Sequence, residues 1–149
     1  EFNEDTNIKG YKNIIYGAGL YANNLNGIKD FAQKAKETQA NIIVFACGFA
    51  PIETGKLIND FVLQGIKKST EISFINRTKF FQYRSAMFYS KLKTGHKIIM
   101  WIINKIVALS KIGKGGQAVK EAFGAYGIDV NYAKKDDINT LVDYVKGLF

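Results

Sequence analysis

Hydrophobic and polar positions along this chain alternate between two periods. Residues 13–16 are a short apolar run that reads as a strand, and residues 25–37 read as a helix. Leu25, Ile28, Phe31, Ala32 and Ala35 form one apolar face of that helix. The run NIIVFAC at 41–47 is apolar on both faces, which predicts a central parallel strand covered by helices on each side. A turn at 48–51 leads into a predicted helix over 53–66, with Leu57, Ile58, Phe61, Val62 and Leu63 inward. Glu53 lies near its start, where the helix dipole favours an acid. Residues 72–83 supply a third strand region, interrupted around Asn76 and Arg77. Gly95 precedes a strongly apolar helix over 97–109 containing Trp101. Its apolar residues go most of the way round, which predicts burial rather than an interfacial stripe. A loop at 111–116, a short helix at 117–124 and an amphipathic helix at 136–148 follow. Ile138, Leu141, Val142, Val145 and Leu148 line the last helix. The alternation predicts an α/β fold with a parallel sheet. Three strands are few for such a sheet, and the first is expected at an edge or paired with another copy.

Composition narrows the function classes. The 149 residues suit a single domain over 1–149, large enough for one core. One cysteine and one histidine exclude a disulfide framework and a zinc centre, so no metal site is expected. The net charge of +8 favours acidic partners, but the lysines stand singly or in pairs. No arginine cluster interleaves with aromatics, so nucleic acid is not an expected partner. No apolar run approaches the roughly 18 residues of a spanning helix, and the N-terminus is polar. The expectation is a cytoplasmic protein without an integral membrane segment.

The segment 14–31 carries the most chemistry. A strand followed by Gly17, Ala18 and Gly19 predicts a glycine-rich turn that admits a flat or anionic ligand, and Tyr21 offers a ring to stack on it. A flavin and a dinucleotide both fit this pattern. Residues 17–22 also match G-x-G-x-x-A, the dinucleotide fingerprint. That fold wants an acid at the end of the next strand, where this chain has Phe45, Ala46, Cys47 and Gly48. Residues 50–57 approach a P-loop, but Ala50 replaces its first glycine and Leu57 its metal-binding hydroxyl. Cys47 reads as a small buried hydrophobe, and His96 as a surface residue at a helix start. No nucleophile–base constellation is visible, so no catalytic side chain is assigned.

Three blocks in order, IIYGAGLYANNLNGIKDF (14–31), NIIVFACGFAP (41–51) and FFQYRSAMFYSKLKTGHKIIMWIINK (80–105), resemble the flavodoxin-domain proteins. The branch they resemble includes menaquinone-dependent protoporphyrinogen oxidase, and GIDVNYAKKDDINTLVDYVK (127–146) is similar to its closing segment. The resemblance implies a flavodoxin-like open parallel sheet with helices on both faces and FMN at the strands' carboxyl ends. It implies electron transfer or oxidoreduction with a redox partner protein or a quinone-like small molecule. The implied cofactor contacts are Gly17, Ala18, Gly19, Leu20, Tyr21, Ala22 and Asn23, with Cys47, Gly48, Phe49 and Ala50. The flavin itself supplies the redox chemistry.

Two departures qualify the expectation. The family's first strand and Ser/Thr/Gly phosphate loop have no counterpart before residue 13. The family's Arg-Gly-Gly followed by Asp-Tyr is replaced by Arg84-Ser85-Ala86-Met87-Phe88-Tyr89. The chain therefore reads as a fragment or as a relative without the phosphate half, holding FMN weakly. Its open first strand would take an upstream segment or a second copy as a homodimer. The alternative functions are a non-catalytic flavodoxin-like interaction domain or fragment that no longer binds flavin tightly, and a dinucleotide-binding Rossmann-like domain.

Overall fold

The computed structural model describes residues 2–3, 5–21, 24–48, 56–109 and 126–149, without the side chains of 56–61, 103 and 106–109. Strands β1 (Asn13–Tyr21), β2 (Asn24–Leu25), β3 (Asn41–Gly48) and β4 (Thr78–Arg84) form one sheet in the order β2-β1-β3-β4. β3 is parallel to both β1 and β4, and β2 folds back antiparallel on the end of β1. Helices α1 (Ile28–Ala35), α2 (Lys56–Ser69) and α3 (Ile72–Asn76) connect these strands. Short strands β5 (Ala86–Met87) and β6 (Val130–Asn131) pair separately, flanking helix α4 (Thr94–Leu109), and α5 (Asn139–Lys146) follows. The fold is α/β with a mostly parallel sheet, as the resemblance implies.

β3 holds the architecture because its side chains can be buried on both faces. Ile42, Val44 and Ala46 meet α1 and α2, with Ile28, Phe31, Ala32, Ala35, Val62 and Ile66 in the same core. The ring of Phe31 stacks on Tyr16 of β1 at 4.2 Å between centroids. On the opposite face, α5 covers β4, with Phe81 edge-on to Tyr144 at 5.6 Å and the hydroxyls of Tyr83 and Thr140 3.1 Å apart. Helices therefore lie on both sides of the sheet. On its other edge, β1 has a ladder partner among the described residues only at Leu20 and Tyr21.

Several boundaries differ from the sequence reading. The first strand does not stop at Tyr16 in a glycine turn; it runs on through Tyr21. The ladder to β3 continues to Gly19, and Gly17 is small because Phe45 of β3 lies over it: a Cβ there would collide with the Phe45 ring. The chain turns later, at 26–27, so Leu25 is buried from β2 rather than from a helix and α1 begins at Ile28. Gly27 makes that turn with φ +70° while the Tyr16 hydroxyl donates to the Asn26 carbonyl. Residues 72–76, read as strand, form α3, because a single helical turn brings Phe74 edge-on to Phe31. The last helix is shorter than 136–148, its first turn being 3₁₀ over Lys135–Ile138. The loop at 111–116, the helix at 117–124 and the start of the helix predicted from Glu53 lie outside the described residues.

α4 overturns the expectation that it would be buried all round. Among its described side chains the inward stripe is His96, Met100 and Asn104, each half-buried at i, i+4 spacing, whereas Ile98, Ile99, Trp101 and Ile102 are 44–55% exposed.

Arg77, at the predicted interruption, caps the layer beneath the sheet. Its Nη2 lies 3.1 Å from the Ala35 carbonyl, 2.9 Å from Thr38 and 3.4 Å from Ala40. A cation at the C-terminal end of α1 also complements the helix dipole. Replacing Arg77 by Ala should lower stability by about 1–2 kcal/mol, since charge-assisted bonds to helix-end carbonyls are lost. Urea denaturation measures the change.

A glycine pair separates conformational need from packing room. Gly27→Ala meets both a positive φ and the Tyr16 hydroxyl, and should cost about 1–2 kcal/mol. Gly19→Ala has nothing within 4 Å of its new Cβ, and should change stability by less than about 0.5 kcal/mol. The same denaturation experiment reads both.

Candidate functional site

The parallel register brings the carboxyl ends of β1, β3 and β4 to one edge. Gly19 is the ladder partner of Cys47, and Gly48 of Arg84. The ends are tied further by Asn26 N–H donating to the Gly19 carbonyl at 3.2 Å and Ser85 N–H to that of Gly48 at 2.9 Å. Open parallel sheets bind ligands outside such an edge.

The residues expected to face a ligand divide by the alternation of the strand. Ala18 and Leu20 pack against the core, so their side chains point away from that face and only their backbone remains for contacts. The space over Gly17 is filled by Phe45, and a Cβ on Gly48 would lie 2.8 Å from Leu20 Cδ1. Both glycines therefore serve close packing. Gly19 is the open one, with nothing within 4 Å of its Cβ position. Tyr21, two residues on and on the same side of the strand, is 48% exposed. Ala22, Asn23, Phe49 and Ala50 lie outside the described residues.

Burial pushes the Cys47 thiol upward, so at neutral pH it stays protonated and is a poor nucleophile. Read as a buried hydrophobe, Cys47 is half-buried at the strand end.

Two residues gain positions that sequence reasoning missed. His96, in the first turn of α4, lies 5.3 Å from the Tyr21 ring, tilted by 59°. Nothing in sequence spacing links positions 21 and 96. Arg84 ends β4 beside Gly48, its guanidinium 3.8 Å from the Tyr132 ring centroid. The buried Arg84 Nε has no hydrogen-bond partner. Its place at the Arg of the family's Arg-Gly-Gly run was the available signal, and the ladder sets this cation beside the end of β3. An open glycine, an exposed tyrosine ring and this unsatisfied cationic donor fit a flat, anionic cofactor such as FMN.

Other chemistries find less. The glycines of the G-x-G-x-x-A pattern lie within β1, and a hairpin rather than a helix follows, so the strand–turn–helix setting of a dinucleotide site is missing. A groove of about 420 Å³ between α1 and the end of α2 contains no strand-end residue, and its Lys36 is already paired with Glu71. The described residues contain no group of three or more His, Cys, Asp or Glu placed to hold a metal.

A family model described as a flavodoxin domain matches residues 1–111, about three-quarters of the chain. No curated protein and no solved structure matches significantly. The family model and the mostly parallel sheet agree: the chain belongs to the flavodoxin-domain family.

Proposed function

We propose that this chain binds FMN at the carboxyl edge of β1 and β3 and serves as a flavin-dependent oxidoreductase or electron carrier. The observation that carries the reading is the open Gly19 between the exposed Tyr21 ring and the end of β3. Family membership supports the choice of a flavin, the cofactor flavodoxin domains generally bind. The cofactor supplies the electron chemistry when bound. The chain contributes the surroundings: Gly19 lets the ring approach the backbone, Tyr21 stacks on it, and His96 restrains the Tyr21 rotamer. Arg84 offers a positive charge near Gly48 that favours an anionic ligand. A redox protein or quinone-like molecule would exchange electrons at this edge, in a cytoplasmic setting.

Flavin fluorescence titration tests the site independently of the fold. Gly19→Val should leave the far-UV spectrum and melting temperature near wild type, because its side chain enters open space. The same side chain should block the ring and weaken FMN binding at least about tenfold, a loss on the order of 1.4 kcal/mol. Tyr21→Ala should weaken binding about threefold to tenfold, the worth of one aromatic stack. Wild-type affinity in both variants would move the flavin elsewhere. No FMN binding by the wild-type chain would favour the non-catalytic interaction domain.

A further inference from the structure

We infer that α4 is a docking surface for anionic lipid bilayers, lying flat on the membrane with Trp101 in the interface. The first observation is the inverted helix. Its half-buried stripe includes His96 and Asn104, while Ile98, Ile99, Trp101 and Ile102 face outward. Four large apolar side chains on one exposed helix face form a patch that marks an interaction site.

The second observation is the distribution of charge. Residues 72–120 contain ten lysines and arginines and no acid, while the rest of the chain carries 11 basic and 13 acidic residues. The whole positive excess therefore lies in the segment that contains α4. Lys105 sits 5.9 Å from the Trp101 ring centroid on the outward side. Lys93 is exposed just before the helix, and Lys97 reaches back to the Ser90 carbonyl at 3.4 Å. Apolar side chains with tryptophan, fringed by lysines, match the interfacial helix rather than the spanning one. At 16 residues α4 is about 24 Å long, and no helix among the described residues is long and apolar enough to cross a membrane.

Charge decides between occupants. A second copy would bring its own acid-free, lysine-fringed helix against this one, and like charges would oppose the contact. Nucleic acid would match the charge but leave the isoleucines unused. An anionic bilayer takes both: headgroups meet the lysines and the acyl boundary takes the isoleucines and Trp101.

Trp101 is the chain's single tryptophan, so its emission reports on this face directly. The chain is mixed with vesicles of phosphatidylcholine alone, or of phosphatidylcholine with phosphatidylglycerol. With the anionic vesicles, Trp101 emission should shift to the blue and the protein should co-sediment; high salt should release it. Ile98→Ser with Ile102→Ser, both at exposed positions, should lower the partition constant about tenfold or more. Lys93→Gln and Lys105→Gln should each lower it about fivefold. An unshifted spectrum with anionic vesicles would overturn the assignment, as would binding unchanged by the isoleucine substitutions. So would a blue shift that needs no vesicles and follows dimer formation in sedimentation velocity, since the face would then belong to a second copy.

Discussion

Everything in this structure depends on one strand that is paired on both edges and covered on both faces. β3 supplies the parallel ladders to β1 and β4, and its alternating side chains are buried on both faces, Ile42, Val44 and Ala46 in the α1–α2 core and Ile43 on the opposite side. A parallel ladder has no freedom to slip by one residue, since that would exchange the two faces along the whole strand. The same register sets the three carboxyl ends level. The proposed site is therefore a consequence of the core: Gly19, Gly48 and Arg84 come together because Ile42, Val44 and Ala46 must face the helices.

The close contact between Gly17 and Phe45 shows how packing and site share one strand. An aromatic on β3 fills the space that a side chain on β1 would occupy, which covers Gly17 and leaves Gly19 free two residues later. Tyr21 then meets His96, so the first turn of α4 lies against the end of β1. Because His96, Met100 and Asn104 turn inward, Ile98, Ile99, Trp101 and Ile102 are left outside. One helix thus borders the proposed flavin site with its inner stripe and presents an apolar surface with its outer one. A flavoprotein docked by that surface would hold its cofactor edge close to a lipid-soluble electron acceptor or donor.

Much of the sheet was legible in the sequence because burial on both faces leaves an unbroken apolar run. NIIVFAC read as the central parallel strand, and the Ile28, Phe31, Ala32 and Ala35 stripe as an inward helix face; both are so. Glycines misled the reading of β1, since Gly17 and Gly19 carry turn propensity that a ladder and a neighbouring phenylalanine override. Residues 72–76 look like strand by composition, yet a single helical turn is what brings Phe74 to Phe31. The outward face of α4 was hidden for another reason: hydrophobicity says how apolar a helix is, but not which stripe its neighbours take. The segment around Gly19 and Tyr21 was legible as a strand end, but His96 comes beside Tyr21 and Arg84 beside Gly48 only through tertiary contacts.

The central claim is that the strand ends, and no other surface, receive the flavin. Titrating FMN into isotope-labelled protein and following the backbone amide resonances tests it most directly. The account predicts the largest shifts at Gly19, Tyr21, Cys47 and Gly48, with the indole resonance of Trp101 unmoved. Shifts clustered at Lys29, Gln33 and Lys68 around the α1–α2 groove, or no shifts at saturating FMN, would contradict it.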